Sequence, residues 1–198
     1  RIALAPGWRP RFAGVDTAFT GLLALERRVL PLGGLVLHCA FAVSGGEALL
    51  FSGPSGIGKS TQAGLWQQYR GADIINGDRA LLLPGPDGWT AGGWPVCGSS
   101  EICFNQRRKL RAIVLPTQET GNFTQRLRPA AAFAALYGQV TVNRWNPAAC
   151  AQAAALLEQL CRRVPVWRLG CTISKNAVDC LAAALEEEGG VRHETPNP

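Results

Sequence analysis

The sequence has 198 residues, of which 47% are hydrophobic and 17% are charged, a balance typical of folded globular proteins that argues against a disordered chain. Its longest apolar stretch, residues 35–50, is interrupted by polar residues and glycines, which argues against a membrane span and predicts a soluble protein with no membrane partner. The net charge of +6 suits a protein that binds a polyanion. However, aromatic residues are not interleaved with the basic ones, so we expect no nucleic acid partner.

The seven cysteines are an odd number, and no two of them form a Cys-x-x-Cys pair. This spacing argues against a zinc site and against a disulfide framework. Cys150, Cys161 and Cys180 lie in stretches rich in alanine and leucine, where a free cysteine usually behaves as a small buried hydrophobic residue. We therefore expect a reducing, cytoplasmic compartment. Because the sequence begins with Arg1, we also expect a segment upstream of it.

Residues 34–69 are predicted to form a hairpin followed by a helix. Two apolar stretches with β character, residues 34–43 and 47–52, flank the short turn at residues 44–46. Residues 60–69 lack proline, have apolar side chains at helical spacing and end before Gly71, which predicts a helix.

The elements after this helix are predicted from apolar runs and from capping residues. Short apolar runs at 72–75 and 80–83 place the polar tetrad 76–79 at a turn between them, and a second turn follows at 84–88. We expect strands at 89–98 (leading into a loop), 110–116 and 164–169, and helices at 130–137, 147–162 and 174–188. Asn146 caps the second of these helices, and Gly189 with Gly190 ends the last.

Strands and helices are mixed without the regular alternation of a Rossmann domain. This order predicts an α/β fold, or an α+β fold, with a mixed β-sheet flanked by helices. Residues 1–188 are expected to form one domain and residues 189–198 a flexible tail. We expect Trp94, Trp145 and Trp167 to lie in the core.

The glycine-rich segment at residues 53–61 is the strongest chemical signal in the sequence. Gly53, Gly58, Lys59 and Ser60 complete the P-loop pattern, and the segment lies between a predicted strand and a predicted helix. Such a loop turns its main-chain N–H groups towards phosphate oxygens, next to the positive end of the helix. The sequence therefore predicts a site for ATP and Mg²⁺ made by Gly53, Pro54, Ser55, Gly56, Ile57, Gly58, Lys59, Ser60 and Thr61.

Within this loop, the Lys59 ammonium can reach the β- and γ-phosphates, and the Ser60 hydroxyl can bind Mg²⁺. Asp78, at the end of the next apolar run, is a candidate Mg²⁺ ligand and a candidate base towards an attacking hydroxyl. An Asx-turn or a helix cap is the structural alternative for Asp78. Arg107, Arg108 and Arg111 could bind phosphate or an acidic substrate, or could form a solvated basic face.

The segments Leu37-His38, 51–61, 76–79, 94–105 and 110–114 resemble the HPr kinase/phosphorylase family and its relatives with a phosphoenolpyruvate-carboxykinase-like nucleotide fold, in particular its compact bacterial members. The similarity covers roughly residues 34–185. It implies that Asp78 matches the carboxylate that acts as base towards the acceptor hydroxyl.

The same resemblance implies a catalytic role for His38, which matches a family histidine near the acid, and a metal-binding role for Glu101. The catalytic role of Lys59 is predicted from the P-loop itself, because its ammonium neutralises charge on the phosphates. A hydrogen-bonded strand histidine and a solvated loop charge are the alternatives for His38 and Glu101. The sequence departs from the family at Gly77, where the kinases often have a second aspartate. The chain is also short compared with HPr kinases, which bind the protein HPr through an extra N-terminal domain and C-terminal helices.

These features predict an ATP-dependent kinase that transfers the γ-phosphoryl group to a hydroxyl, such as a serine of a small protein or peptide. One alternative is a kinase or carboxykinase-type enzyme acting on a small molecule. Another is a non-catalytic module that senses ATP, which Gly77 favours because an acid is absent there. The sequence leaves open whether the protein forms a homo-oligomer.

Overall fold

In a computed structural model, the backbone is described for residues 23–193 and the side chains for residues 23–188. The helices are α1 (Leu25–Val29), α2 (Lys59–Arg70), α3 (Pro129–Tyr137), α4 (Pro147–Arg163) and α5 (Lys175–His193). The strands are β1 (Leu35–Ser44), β2 (Glu47–Ser52), β3 (Asp73–Asn76), β4 (Arg79–Gly85), β5 (Gly88–Gly93), β6 (Arg107–Gln118), β7 (Phe123–Arg126) and β8 (Val166–Cys171). Short 3₁₀ helices occupy Leu30–Leu32 and Gly98–Ser100.

The strands form a mixed sheet that is mostly antiparallel, in the order β2-β1-β4-β5-β6-β8-β7, with β3 paired to β1. The pairs β2–β6 and β6–β8 are parallel. Because β2 pairs with both β1 and β6, the strands β1, β4, β5, β6 and β2 close into a ring. The predicted mixed sheet with flanking helices is confirmed.

The β1–β2 hairpin has the turn that its glycines predict. Gly45 and Gly46 have φ values of 59° and 80°, and Ser44 pairs with Glu47 across the turn. Two consecutive positive φ values suit the twist of a tight hairpin, and glycine adopts them without steric cost.

Strand β1 separates two hydrophobic cores, because successive side chains of a strand point to opposite faces. Leu35, Leu37, Cys39 and Phe41 face a core that includes buried side chains of α3 and α4. Ala40 and Ala42 face a second core that includes side chains of α2 and α5. The helices therefore cover both faces of β1, the strand that pairs with β2 next to the glycine-rich loop.

The predicted end of α2 and the predicted start of α4 are confirmed. Gly71 ends α2 with a φ of 62°, and its N–H donates to the carbonyls of the last turn. At the start of α4 the Asn146 side chain accepts a hydrogen bond from the backbone N–H of Ala149, and Pro147 is the first helical residue. Both are common end signals of helices.

Two features differ from the predictions, and one prediction lies partly outside the described residues. Helix α5 continues to His193 instead of ending at Gly189. Part of the predicted tail, residues 194–198, lies outside the described residues. The short elements α1 and β7 were not predicted.

The expectation for the tryptophans is confirmed at two positions and wrong at the third. Trp94 and Trp167 are buried. Trp145 is 75% exposed, and the guanidinium of Arg27 lies 5.5 Å from its ring centroid. Over the part of the chain that the structure describes, no helix is long and apolar enough to cross a membrane.

Candidate functional site

The glycine-rich loop joins the end of β2 to the first residue of α2, as the sequence predicts. Gly53, Gly56 and Gly58 have φ values of 146°, 79° and 107°. These conformations favour glycine, so the three glycines of the motif stand where the chain turns. Gly58 precedes the first turn of α2, and the loop therefore leads directly into the N-terminus of a twelve-residue helix.

Lys59 is the first residue of α2 and is only 8% exposed. Its Nζ donates hydrogen bonds to the carbonyl oxygens of Gly53 (3.0 Å) and Pro54 (2.9 Å). Burial lowers the pKa of the Lys59 ammonium, while the negative charge of Asp78 acts in the opposite direction. Because an ammonium has three N–H donors, two bonds to the loop leave one for a ligand.

Asn76 organises the turn that carries Asp78. Its side chain is fully buried, and its Oδ1 accepts hydrogen bonds of 2.8 Å from the backbone N–H groups of Asp78 and Arg79. Its Nδ2 donates to the carbonyl oxygens of Trp94 (2.7 Å) and Val96 (3.0 Å). One amide therefore fixes the turn and ties the following loop to it, a role that sequence reasoning missed. The Asx-type turn belongs to Asn76 rather than to Asp78.

The Asp78 carboxylate lies between two basic side chains. Its Oδ2 accepts a hydrogen bond from Arg79 Nε at 3.0 Å, and its Oδ1 is 3.7 Å from His38 Nε2. On the other side of the imidazole ring, His38 Nδ1 lies 3.3 Å from Gln139 Oε1. The Asp78 carbonyl oxygen accepts a hydrogen bond from the Cys39 N–H, which holds the turn against β1. His38 and Asp78 are thus neighbours, as the family resemblance implied.

Residues 97–100 form a second wall that packs closely on the Asp78 turn. A Cβ added at Gly77 would lie 2.1 Å from Ser100 Oγ, and one added at Gly98 would lie 3.1 Å from Asp78 Oδ1. Ser100 Oγ donates to the Cys97 carbonyl oxygen at 2.6 Å. Ser100 therefore fills the space beside Gly77 that a second acidic side chain would need.

These elements surround a cavity of about 280 Å³ whose lining is mostly polar. The lining residues are His38, Ser55, Gly56, Gly58, Lys59, Ser60, Thr61, Gly77, Asp78, Cys97, Ser99 and Ser100. The cavity thus brings together the predicted catalytic residues and most of the predicted phosphate loop. The lining does not include Gly53, Pro54 and Ile57 of that loop.

The remaining predicted residues lie apart from the cavity lining. Glu101 is exposed and has a φ of 56° at the end of the short 3₁₀ helix. Arg107, Arg108 and Arg111 lie on β6, where Arg111 Nε is 3.9 Å from Glu47 Oε2. Cys97, Ser99 and Ser100 were not predicted as site residues, because they reach the cavity through a loop that Asn76 positions from a distance in sequence.

The oxygen atoms at the cavity fit a magnesium ion. Mg²⁺ prefers oxygen ligands and is often held by one or two carboxylates together with substrate phosphates and water. The Ser60 hydroxyl and the Asp78 carboxylate both line the cavity and could supply such ligands. Among the described residues, no group of three or more His, Cys, Asp or Glu side chains could hold a metal ion.

No model of a protein family matches the sequence, and no curated protein is similar to it. Among solved structures, the HPr(Ser) kinase/phosphatase from Coxiella burnetii is similar with a TM-score of 0.43 and 11% sequence identity. The similarity covers 82% of this chain and 99% of that chain.

Proposed function

We propose that this protein is an ATP-dependent kinase that transfers the γ-phosphoryl group to a hydroxyl, with a serine of a small protein or peptide as the acceptor. The observation that carries the proposal is the single cavity shared by the glycine-rich loop, Lys59 and Asp78. Phosphoryl transfer requires little covalent chemistry from a protein, and it depends mainly on positioning and on neutralising charge. A cavity with a phosphate-binding loop on one wall and a carboxylate on another meets both requirements.

In this proposal the glycine-rich loop binds the phosphates and Asp78 serves both the metal ion and the acceptor. The main-chain N–H groups of residues 55–61 hold the phosphates, and Lys59 neutralises charge on the β- and γ-phosphates. Ser60 and Asp78 would hold Mg²⁺, which supplies further charge neutralisation when it is bound. Asp78 also accepts the proton of the acceptor hydroxyl as that oxygen attacks the γ-phosphorus.

His38 and Arg79 keep the Asp78 carboxylate oriented. Arg79 occupies Oδ2, so Oδ1, which faces His38 and Gly98, is the oxygen towards which an acceptor would approach. The motif resemblance favours a serine hydroxyl as the acceptor, and a small-molecule hydroxyl is the alternative.

Transfer of label from γ-labelled ATP tests this proposal. The protein is incubated with Mg²⁺, labelled ATP and a panel of acceptors: serine peptides, small proteins and small polyols. Asp78→Asn should lower the transfer rate by a factor of about 10²–10⁴, the usual contribution of a general base, while ATP still binds. Asp87→Asn, an exposed residue in the β4–β5 turn, is the matched control and should transfer label like the wild type. Equal rates for Asp78→Asn and wild type would reject the role of Asp78.

A non-catalytic ATP sensor is the second candidate, and one observation favours it. Ser100 fills the space next to Gly77, so the cavity has one acidic side chain where the family kinases often have two. Tight binding of Mg-ATP without transfer to any acceptor or to water would support the sensor and reject the kinase.

A further inference from the structure

We infer that Ser99 is a phosphoryl acceptor within the chain itself, so that the protein modifies its own cavity wall. This inference rests on the proposed kinase function. It starts from the observation that Ser99 is exposed, lines the same cavity as Lys59 and Asp78, and lies outside the glycine-rich loop.

Ser99 is held close to the candidate base by its neighbour Gly98. A Cβ added at Gly98 would lie 3.1 Å from both Asp78 Cγ and Asp78 Oδ1. The Cα of Ser99 is one peptide unit further, which puts it within about 8 Å of the carboxylate. A serine acceptor has to bring its Oγ within hydrogen-bond distance of the base, so in this proposal Ser99 moves towards Asp78 when it reacts.

The other hydroxyls of the cavity are less suited to this role. Ser100 Oγ donates to the Cys97 carbonyl, accepts from the Ile102 N–H and packs on Gly77, so it is turned towards its own backbone. Ser55, Ser60 and Thr61 line the cavity as part of the glycine-rich segment, which holds the phosphates in the proposed function. An attacking oxygen has to approach in line from the side opposite the leaving group. Ser99 is the exposed cavity hydroxyl that lies outside the glycine-rich loop.

The turn that presents Ser99 is anchored at both ends. On one side, the Val96 carbonyl accepts a hydrogen bond from Asn76. On the other side, the Ile102 carbonyl accepts one from the Gly77 N–H at 3.3 Å. Between these anchors, Gly98 and Glu101 have φ values of 58° and 56°. The Gly98–Ser100 helix is therefore a short projection into the cavity rather than a long mobile loop.

The reaction balances without any further reagent. The Ser99 oxygen forms a bond to the γ-phosphorus of ATP while the bond between that phosphorus and the β–γ bridging oxygen breaks. The electron pair leaves with ADP, and the serine proton passes to Asp78 Oδ1. The product, a phosphoserine with a charge of about −2, lies beside the Asp78 carboxylate, where like charges repel. Phosphorylation of Ser99 therefore restricts the cavity and limits transfer to other acceptors.

Mass spectrometry of the protein after incubation with Mg-ATP tests the inference. We expect one phosphate per chain, located at Ser99 by fragmentation, at a rate that does not depend on protein concentration. Ser99→Ala should lose the phosphate, Ser99→Thr should retain one at position 99, and Thr120→Ala, in the exposed β6–β7 turn, should be labelled like the wild type.

The outcomes separate this inference from the proposed function. If the protein transfers phosphate to an added acceptor while Ser99 stays unmodified, or if the phosphate is located on another residue of the chain, the inference is wrong and the kinase proposal stands. If Mg-ATP does not bind, the proposed function fails and the inference fails with it. The location of the phosphate in the wild-type protein decides the matter even if a variant does not fold.

Discussion

The burial of Lys59 carries a cost to folding that a bound anion would offset. A lysine is rarely buried this deeply, and its ammonium loses hydration that two carbonyl bonds restore only in part. The lowered pKa of Lys59 has burial as its main cause. In the proposed function, the phosphates of the nucleotide supply the missing negative charge.

The pH dependence of the free energy of unfolding should reveal the cost of burying the Lys59 ammonium. Between the lowered pKa of Lys59 and the usual lysine pKa of about 10.4, the unfolded chain binds the Lys59 proton more tightly than the folded chain, so stability rises with pH. Lys59→Met lacks this contribution. We expect the variant to be at least as stable as the wild type at pH 7, and its advantage to shrink as the pH approaches 10. Denaturant unfolding of both proteins at several pH values measures this difference, and an advantage that grows with pH would contradict the prediction.

Asn76 explains why part of the site was visible in the sequence and part was not. Local patterns predict the glycine-rich loop, which lies between a strand and a helix that follow each other in the chain. They also predict the position of Asp78, which lies in the turn between β3 and β4. Ser99 and Ser100 reach the cavity because Asn76 binds the carbonyls of Trp94 and Val96. No local pattern encodes such a contact, so sequence reasoning could not place these residues.

The secondary structure elements were predictable where end signals are strong. Gly45 and Gly46 predicted the hairpin turn, and Gly71 predicted the end of α2. Asn146 predicted the start of α4. Strand β7 has four mostly exposed residues and is formed by pairing with β8, so it lacks an apolar pattern of its own. Helix α5 passes through Gly189 and Gly190, since glycine disfavours a helix interior by only about 1 kcal/mol.

A substitution at Gly98 tests whether the close packing of residues 97–100 on Asp78 determines the position of its carboxylate. Gly98→Ala places a methyl group against the carboxylate and also imposes a left-handed backbone on alanine. Gly46→Ala in the β1–β2 turn imposes a similar backbone, with no atom within 4 Å of the new methyl group. Each change should cost roughly 1–2 kcal/mol of stability.

The two variants should differ in activity. We expect Gly98→Ala to lower kcat for phosphoryl transfer at least tenfold with little change in ATP affinity, because Asp78 is displaced while the glycine-rich loop is untouched. Gly46→Ala should keep the wild-type kcat. Steady-state kinetics compares them, and equal kcat values would mean that the Asp78 position does not depend on this wall.

Strands β1 to β4 position most of the cavity, whose walls come from distant parts of the chain. His38 lies on β1, which is packed between the two cores, and α2 buries Ala63 and Trp66 in the core that also includes α5. The Asp78 turn connects β3 and β4, which both pair with β1. The cavity is thus defined by the same strands that hold the two cores together.

Calorimetric titration of the protein with Mg-ATP tests most directly whether the cavity holds a triphosphate. We predict binding at one site per chain, weakened at least tenfold by Lys59→Met and unchanged by Lys175→Met, an exposed lysine paired with Asp179 on α5. Absence of binding to the wild-type protein, or equal affinity in the Lys59→Met variant, would contradict the prediction.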